Sequence, residues 1–229
     1  RDWMRFDPFP NIQGAFLGRA SLPKEKLWAE RSIQVKQVHG DRWLWIENAE
    51  QKETLRDTEA DALFTTLKDC PLAVRTADCV PILVAHPQGL VGVVHAGWRG
   101  TLATILQKSL IDIGNKSAVD WAKAQFAIGP SICGNCYEVG EDVADLFSQE
   151  GKDQFLASRG PGKYLLDLHR ANLQQLLDLG IPRSQISLQT TCTLENSGVF
   201  FSYRKAVATS QPNAGRNISL IEFSPDRRP

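Results

Sequence analysis

Apolar and polar positions along the chain fall into short segments of period two interleaved with longer ones of helical spacing. Residues 32–38 alternate strictly, as a half-buried strand does, and the pattern stops at His39-Gly40. A second short β segment, 43–46, follows closely, which places His39 in a hairpin turn. Further strands are predicted at 12–17, 61–66, 71–76, 121–128, 186–188, 199–201 and 218–222. The most continuous apolar text is Val80-Pro81-Ile82-Leu83-Val84-Ala85, a turn at His86-Pro87-Gln88-Gly89, and Leu90-Val91-Gly92-Val93-Val94, which reads as strand, turn, strand.

Helical spacing takes over after Gly100. Leu102, Ile105, Leu106, Leu110 and Ile113 predict a helix over 102–113, with Thr101 as its N-cap and Gly114-Asn115 as its stop. Segments 139–150 and 168–179 also read as helices, the latter ended by Gly180. Strands and helices alternate without segregating. The expected class is therefore α/β, a single layered domain over residues 1–229 with mixed, partly antiparallel sheets. No internal repeat, low-complexity tract or linker interrupts it.

That strand pair concentrates chemistry. If it closes antiparallel through its turn, Cys79 enters the first strand and His95 leaves the second, side by side at the end remote from the turn. A thiolate beside an imidazole is either a nucleophilic dyad or half of a transition-metal site. Cys79 alone would read as a small buried hydrophobe, but the polar Thr76-Ala77-Asp78 before it suggests the mouth of a site. Adding His39 gives two imidazoles and one thiol. Zinc accepts that set, and three protein ligands leave a fourth position for water; copper is a second candidate for the same donors.

His95 opens the run Ala96-Gly97-Trp98-Arg99-Gly100, a loop entering a helix, where amides and Arg99 favour an anion. Arg204 and Arg216, near later strand ends, could converge with it, against the alternative of surface ion pairs. Glu138 is a candidate positioning carboxylate. Cys133-Gly134-Asn135-Cys136 is one CxxC pair, too few ligands for structural zinc, and reads as loop cysteines; His86 and His169 read as solvated.

Composition narrows the partners. Lys plus Arg and Asp plus Glu both number 26 in 229 residues, so bulk attraction to nucleic acid or anionic membrane is not expected. No run approaches the roughly 18 apolar residues of a membrane span. Residues 1–8 lack the apolar stretch of a signal peptide. Five cysteines, an odd and sparse number, imply reduced thiols. The expectation is a cytoplasmic monomer acting on a small molecule.

The motifs Gln37-Val38-His39-Gly40, Thr76-Ala77-Asp78-Cys79-Val80-Pro81, His95-Ala96-Gly97-Trp98-Arg99-Gly100-Thr101, Ile128-Gly129-Pro130-Ser131-Ile132 with Tyr137-Glu138-Val139-Gly140, and Phe201-Ser202-Tyr203-Arg204 with Gly215-Arg216 occur in one order. In that combination the chain resembles the YfiH-type family, described variously as multicopper polyphenol oxidase (laccase), peptidoglycan editing factor and purine nucleoside phosphorylase. The resemblance runs from about His39 to the C-terminus. It implies a single α/β domain and a zinc bound by His39, Cys79 and His95. It also implies phosphorolysis of purine nucleosides, methylthioadenosine included, to base and ribose 1-phosphate, together with adenosine deamination. One departure is visible: the glycine- and serine-rich stretch usual after an N-terminal arginine is shortened, since Gly18-Arg19-Ala20-Ser21 leads at once to Pro23-Lys24-Glu25. Competing expectations are a copper oxidase of phenols, short of imidazoles with only four histidines; a cysteine hydrolase of peptidoglycan precursors built on Cys79; and a metal-binding scaffold without catalysis.

Overall fold

The computed structural model describes residues 3–211 and 215–225. Its N-terminal part contains β1 (Trp3–Phe9), β2 (Ile12–Leu17), α1 (Pro23–Arg31), β3 (Trp43–Trp45), α2 (Lys52–Leu55) and β4 (Ala62–Thr65). The centre contains β5 (Leu72–Thr76), β6 (Val80–Ala85), β7 (Val91–Ala96), α3 (Trp98–Leu102), α4 (Ile105–Lys116) and β8 (Gln125–Ile128). Then follow β9 (Glu138–Gly140), α5 (Glu141–Gln149), β10 (Leu156–Gly160), β11 (Lys163–Leu166), α6 (Leu168–Asp178), β12 (Ile186–Leu188), α7 (Tyr203–Ala208) and β13 (Asn217–Phe223). The class is the mixed, layered α/β arrangement that the alternation predicts.

Two sheets carry most of the architecture. One has six strands in the order β12-β8-β6-β7-β4-β3, the other four in the order β1-β2-β13-β5, and β10-β11-β9 form a small third sheet. Strand alternation sends Val80, Ile82, Val84, Val94 and Phe126 to one face of the six-stranded sheet, against Leu106 and Leu110 of α4 and Leu176 of α6. The opposite face, with Leu63, Leu83, Val91 and Val93, packs on Phe16, Leu72, Val74 and Ile221 of the four-stranded sheet. The outer face of that second sheet, Ala15, Leu17, Ala73 and Leu220, is covered by Trp28 and Ala29 of α1. The order of layers is thus helix, sheet, sheet, helices. Among the described residues no helix is long and apolar enough to cross a membrane.

Several segments depart from the sequence expectation. Residues 32–38 change partner along their length: Ile33 bridges Leu72, then Lys36 bridges Glu59, so no continuous ladder forms. His39 consequently sits in no hairpin; it takes φ 61° in a separate turn. The predicted helix over 102–113 is two helices. Gly97, not Thr101, precedes the first, and Thr104 at φ 58° breaks them apart. Gly114 lies inside α4 because the Trp121 indole packs where a Cβ would stand, 3.3 Å from Nε1. Residues 121–123 form a 3-10 turn before β8, and β9 precedes α5 where one helix is predicted. Segment 199–201 is not a strand: the amides of Val199 and Phe200 both donate to the Asn196 carbonyl in a run of turns. Strands β1, β10 and β11 and helices α1, α2 and α7 carry no expectation from the pattern.

One close fit governs the register of the central strands. Phe64 of β4 is paired with Gly92 of β7, and a Cβ at position 92 would overlap the Phe64 ring. Gly92→Ala is expected to destabilise the fold by about 1–3 kcal/mol, the usual cost of overpacking a core, despite the better strand propensity of alanine. A urea denaturation midpoint lowered relative to the parent chain checks this; an unchanged midpoint would show that Phe64 has room to move.

Candidate metal centre

The antiparallel pairing of β6 with β7 joins Val80 to Ala96 and Pro81 to His95, which sets Cys79 against Gly97 just beyond the ladder. The pairing of β4 with β7 joins Ala62 to Val94, so the preceding Asp61 lies opposite His95, whose amide donates to the Asp61 carbonyl at 2.7 Å. By alternation Asp61, Cys79 and His95 share the face of Leu63, Leu83 and Val93, the face toward the four-stranded sheet. The site therefore lies where the layer between the two sheets opens at its end.

Asp61 was not singled out by sequence, and it organises the centre. Its carboxylate is fully buried. It accepts the His95 Nδ1–H at 2.7 Å and the backbone amides of Val38, His39 and Gly40 at 3.2, 3.0 and 2.8 Å. Burial would raise its carboxyl, but the His95 hydrogen bond and the amides outweigh that and hold it below the ordinary range. Part of the signal was present in the sequence: an acid opening a buried strand that begins Ala-Leu-Phe must find partners, although the sequence does not say which.

With Nδ1 bound to Asp61, the His95 ring has Nε2 left to offer. The donor atoms of His39, Cys79 and His95 all lie within 4.8 Å of one another, and the two imidazoles meet edge to face at 4.7 Å between centroids. His39 is exposed, Cys79 half-buried and His95 buried. Gly97 makes the approach possible, since a Cβ there would stand 3.1 Å from Cys79 Sγ and 3.2 Å from the His39 ring. A Cβ at Gly100 would lie 2.9 Å from the Gly40 carbonyl, so α3 rests directly on the His39 turn. Burial alone would raise the Cys79 thiol, but hydrogen bonds from His39 and His95 bring it down to about 6. Burial works against charge on His95 too, yet Asp61 and Cys79 push it up to about 9.

A cavity of roughly 660 Å3 opens above these residues, a volume suited to a small-molecule ligand. His39, Cys79 and His95 line it, and so do Arg99, Arg204 and Arg216; the structure brings all six predicted site residues to one place. Arg99 stacks on the Trp98 ring at 4.2 Å. Arg204 donates to the Glu138 carbonyl at 2.8 Å and stands over the Tyr137 ring. Sequence reasoning missed Lys36, Arg75 and Tyr137 in the same lining. Burial, then the charge of Cys79, pushes the Tyr137 phenol up to about 12, so it remains a donor.

Asp78 holds the wall together. At φ 86° it turns the chain into β6, and its carboxylate accepts from Thr193 Oγ1 at 2.6 Å and from the Arg204 amide at 2.7 Å. The Gln37 side chain exchanges two hydrogen bonds with the backbone of Arg75, tying the His39 segment to the end of β5.

Three expectations need correction. Glu138 takes part through its carbonyl; its carboxylate instead faces Arg159 and Lys163 at 3.5 and 3.4 Å. His86 and His169 are buried, not solvated, and lie elsewhere: His86 against the Asp120 carbonyl and the Trp121 ring, His169 against the Gly129 carbonyl at 2.9 Å and Ser131 Oγ at 3.1 Å. Nor are Cys133 and Cys136 isolated loop cysteines, because Cys192 and Glu195 join them within 4.8 Å.

The sequence model of the family described as multi-copper polyphenol oxidoreductase laccase matches residues 19–224. A protein of Bacteroides thetaiotaomicron named purine nucleoside phosphorylase is 35% identical over 193 residues, covering 82% of this chain and 71% of its own length. Adenosine deaminase RL5, from an unknown prokaryotic organism, is 34% identical over 188 residues, covering 80% and 69%. The crystal structure of YlmD from Geobacillus stearothermophilus superposes with a TM-score of 0.82 at 27% identity, over 98% of this chain and 97% of that one. The chain belongs to the multi-copper polyphenol oxidoreductase laccase family, the YfiH-type family that its motifs resemble.

Proposed function

We propose that the chain is a zinc-dependent purine nucleoside enzyme, a single domain over residues 1–229. In this reading it cleaves adenosine, inosine or methylthioadenosine with phosphate to free base and ribose 1-phosphate, and it also deaminates adenosine. The observation that carries the proposal is one cavity lined both by the converging donors His39, Cys79 and His95 and by Arg99, Arg204 and Arg216. Relatives named purine nucleoside phosphorylase and adenosine deaminase supply the substrate class.

Two imidazoles and a thiolate fit zinc, whose bonds to nitrogen and sulfur run about 2.0–2.3 Å, and three protein ligands are the number a catalytic site uses. At Gly97 a side chain would crowd two of the three donor residues, its Cβ standing 3.1 Å from Cys79 Sγ and 3.2 Å from the His39 ring. Zn2+ held there supplies Lewis acidity at the floor of the cavity. The rest is done by this chain's own groups. Asp61 keeps the His95 ring in one tautomer and one orientation. The arginine guanidinium groups present paired N–H donors that match phosphate oxygens. Tyr137, kept protonated, donates a hydrogen bond to a base or a sugar hydroxyl.

The family description favours copper as a second reading. Two of the four histidines, His86 and His169, are engaged by backbone carbonyls and do not line the cavity. The remaining two imidazoles and one thiolate suit a single ion rather than a copper cluster.

Chromatography of products from adenosine and phosphate is expected to yield adenine by phosphorolysis and inosine by deamination, with both lost on metal stripping and restored by zinc. Turnover that survives chelation, with covalent trapping of Cys79, would transfer the chemistry to a cysteine nucleophile; stoichiometric copper with little zinc would favour the oxidase. Asp61→Asn is expected to weaken metal affinity by about 10–100-fold, as loss of a ligand's hydrogen-bond partner does, measured by competition with a chelator. Affinity equal to the parent's would remove Asp61 from the centre. Arg99→Ala is expected to raise KM for phosphate by about 10–100-fold, the loss of a charge-assisted hydrogen bond, with a smaller effect on deamination, which consumes no phosphate. Equal losses in both reactions would place Arg99 elsewhere than on phosphate.

A further inference from the structure

The loop after β8 and the turn before α7 carry a second set of soft donors that the nucleoside chemistry does not use. Cys133, Cys136, Cys192 and Glu195 have donor atoms all within 4.8 Å of one another. Cys192 is buried, Cys133 and Cys136 are half-buried, and Glu195 is at the surface. Two backbone features hold the four together. The CxxC segment closes as a tight turn, with the Cys136 and Tyr137 amides both donating to the Cys133 carbonyl at 2.9 and 3.0 Å. Ser131 and Cys192 form a parallel bridge, reinforced by the Thr193 amide on the Ser131 carbonyl at 3.0 Å.

Backbone amides point at two of the sulfurs. The Cys133 amide points at Cys192 Sγ at 3.3 Å, and the Asn135 amide at the Cys133 sulfur. All three cysteines are free thiols.

We propose that Cys133, Cys136, Cys192 and Glu195 form a second, structural site for a thiophilic divalent cation of the zinc class. Three thiolates and one carboxylate make four ligands, the closed set of a structural site, in contrast to the three donors at His39, Cys79 and His95. The cation links the segment of Cys133 and Cys136, whose neighbours wall the cavity, to the segment of Cys192, which reaches that wall through Asp78. Thr193, next to Cys192, binds the Asp78 carboxylate; the Ile132 amide, next to Cys133, binds the Asp78 carbonyl at 3.0 Å. Tyr137 follows Cys136 directly and lines the cavity.

The test is metal stoichiometry and spectroscopy on the full chain, purified with reductant, stripped, and titrated with Co2+ as a coloured substitute for zinc. The parent is expected to bind about two equivalents with an intense thiolate-to-cobalt charge-transfer band. Cys79→Ser should keep about one equivalent and most of that band, whereas Cys136→Ser should lose about one equivalent and most of the band. A band that follows Cys79 and ignores Cys136 overturns the site, whereas a single equivalent whose band follows Cys136 supports it and removes the metal from His39, Cys79 and His95 instead. Alkylation of the unmutated protein, mapped by mass spectrometry with and without Zn2+, gives a readout independent of variant folding. Protection of Cys133, Cys136 and Cys192 by zinc supports the site, and equal labelling in both conditions refutes it.

Discussion

A buried, ionised carboxylate is the constraint on which the candidate centre depends. Asp61 has no access to water, and an uncompensated charge in such a place would cost several kcal/mol. It is compensated by four hydrogen bonds, three from consecutive backbone amides and one from His95. The same bonds offset local strain. His39 sits in the left-handed region, which costs an ordinary residue about 1–2 kcal/mol, while an amide bound to a charged acceptor contributes about 1.5–3 kcal/mol. One acid thus accounts for the shape of the His39 turn and for the orientation of the His95 ring.

That arrangement has force only because the strands are held in register. Asp61 reaches His95 through the β4–β7 ladder, and Cys79 reaches Gly97 through the β6–β7 ladder. A slip of one residue in either would send the side chain to the helical face of the sheet. Register is secured by shape: Phe64 occupies the space above Gly92, and Leu83 lies 2.9 Å from where a Cβ of Gly14 would be. Packing between the sheets therefore determines donor geometry some residues away, at the end where the apolar layer stops and the cavity begins.

Much of this was legible in the sequence where periodicity and chemistry coincided. The β6–β7 pair was readable because both strands are continuously apolar and the turn between them is short, and from it the meeting of Cys79 and His95 follows. Residues 32–38 misled because alternation records burial on one side and not the identity of the pairing strand; here the partner changes midway. The helix after Gly97 misled because Thr104, ordinary in composition, adopts a left-handed conformation that propensity does not reveal. His86, in a turn, and His169, early in a helix, read as solvated from those positions yet fold inward onto carbonyls. Asp61 and the partners of the CxxC were hidden for a different reason. Each depends on contacts distant along the chain, Asp61 with His95 and Cys133 with Cys192, and a single sequence carries no distances.

The two donor sets are mechanically continuous through Asp78. One of its carboxylate oxygens receives Thr193, beside Cys192; the other receives the amide of Arg204; its carbonyl receives Ile132, beside Cys133; and its own peptide leads into Cys79. Its positive φ is adopted against the preference of a non-glycine residue, so these bonds determine the conformation as well as brace it. A shift of the segment at Cys192 therefore has one hydrogen bond to cross before it reaches Asp78, and one peptide more before it reaches the Cys79 sulfur. Arg204 hangs from the same carboxylate by its amide, which couples the position of a cavity guanidinium to that of the thiolate. Rigidity around Cys133 and Cys192 is in this way rigidity of the cavity wall, while the Arg204 side chain is braced in addition by the Glu138 carbonyl and the Tyr137 ring.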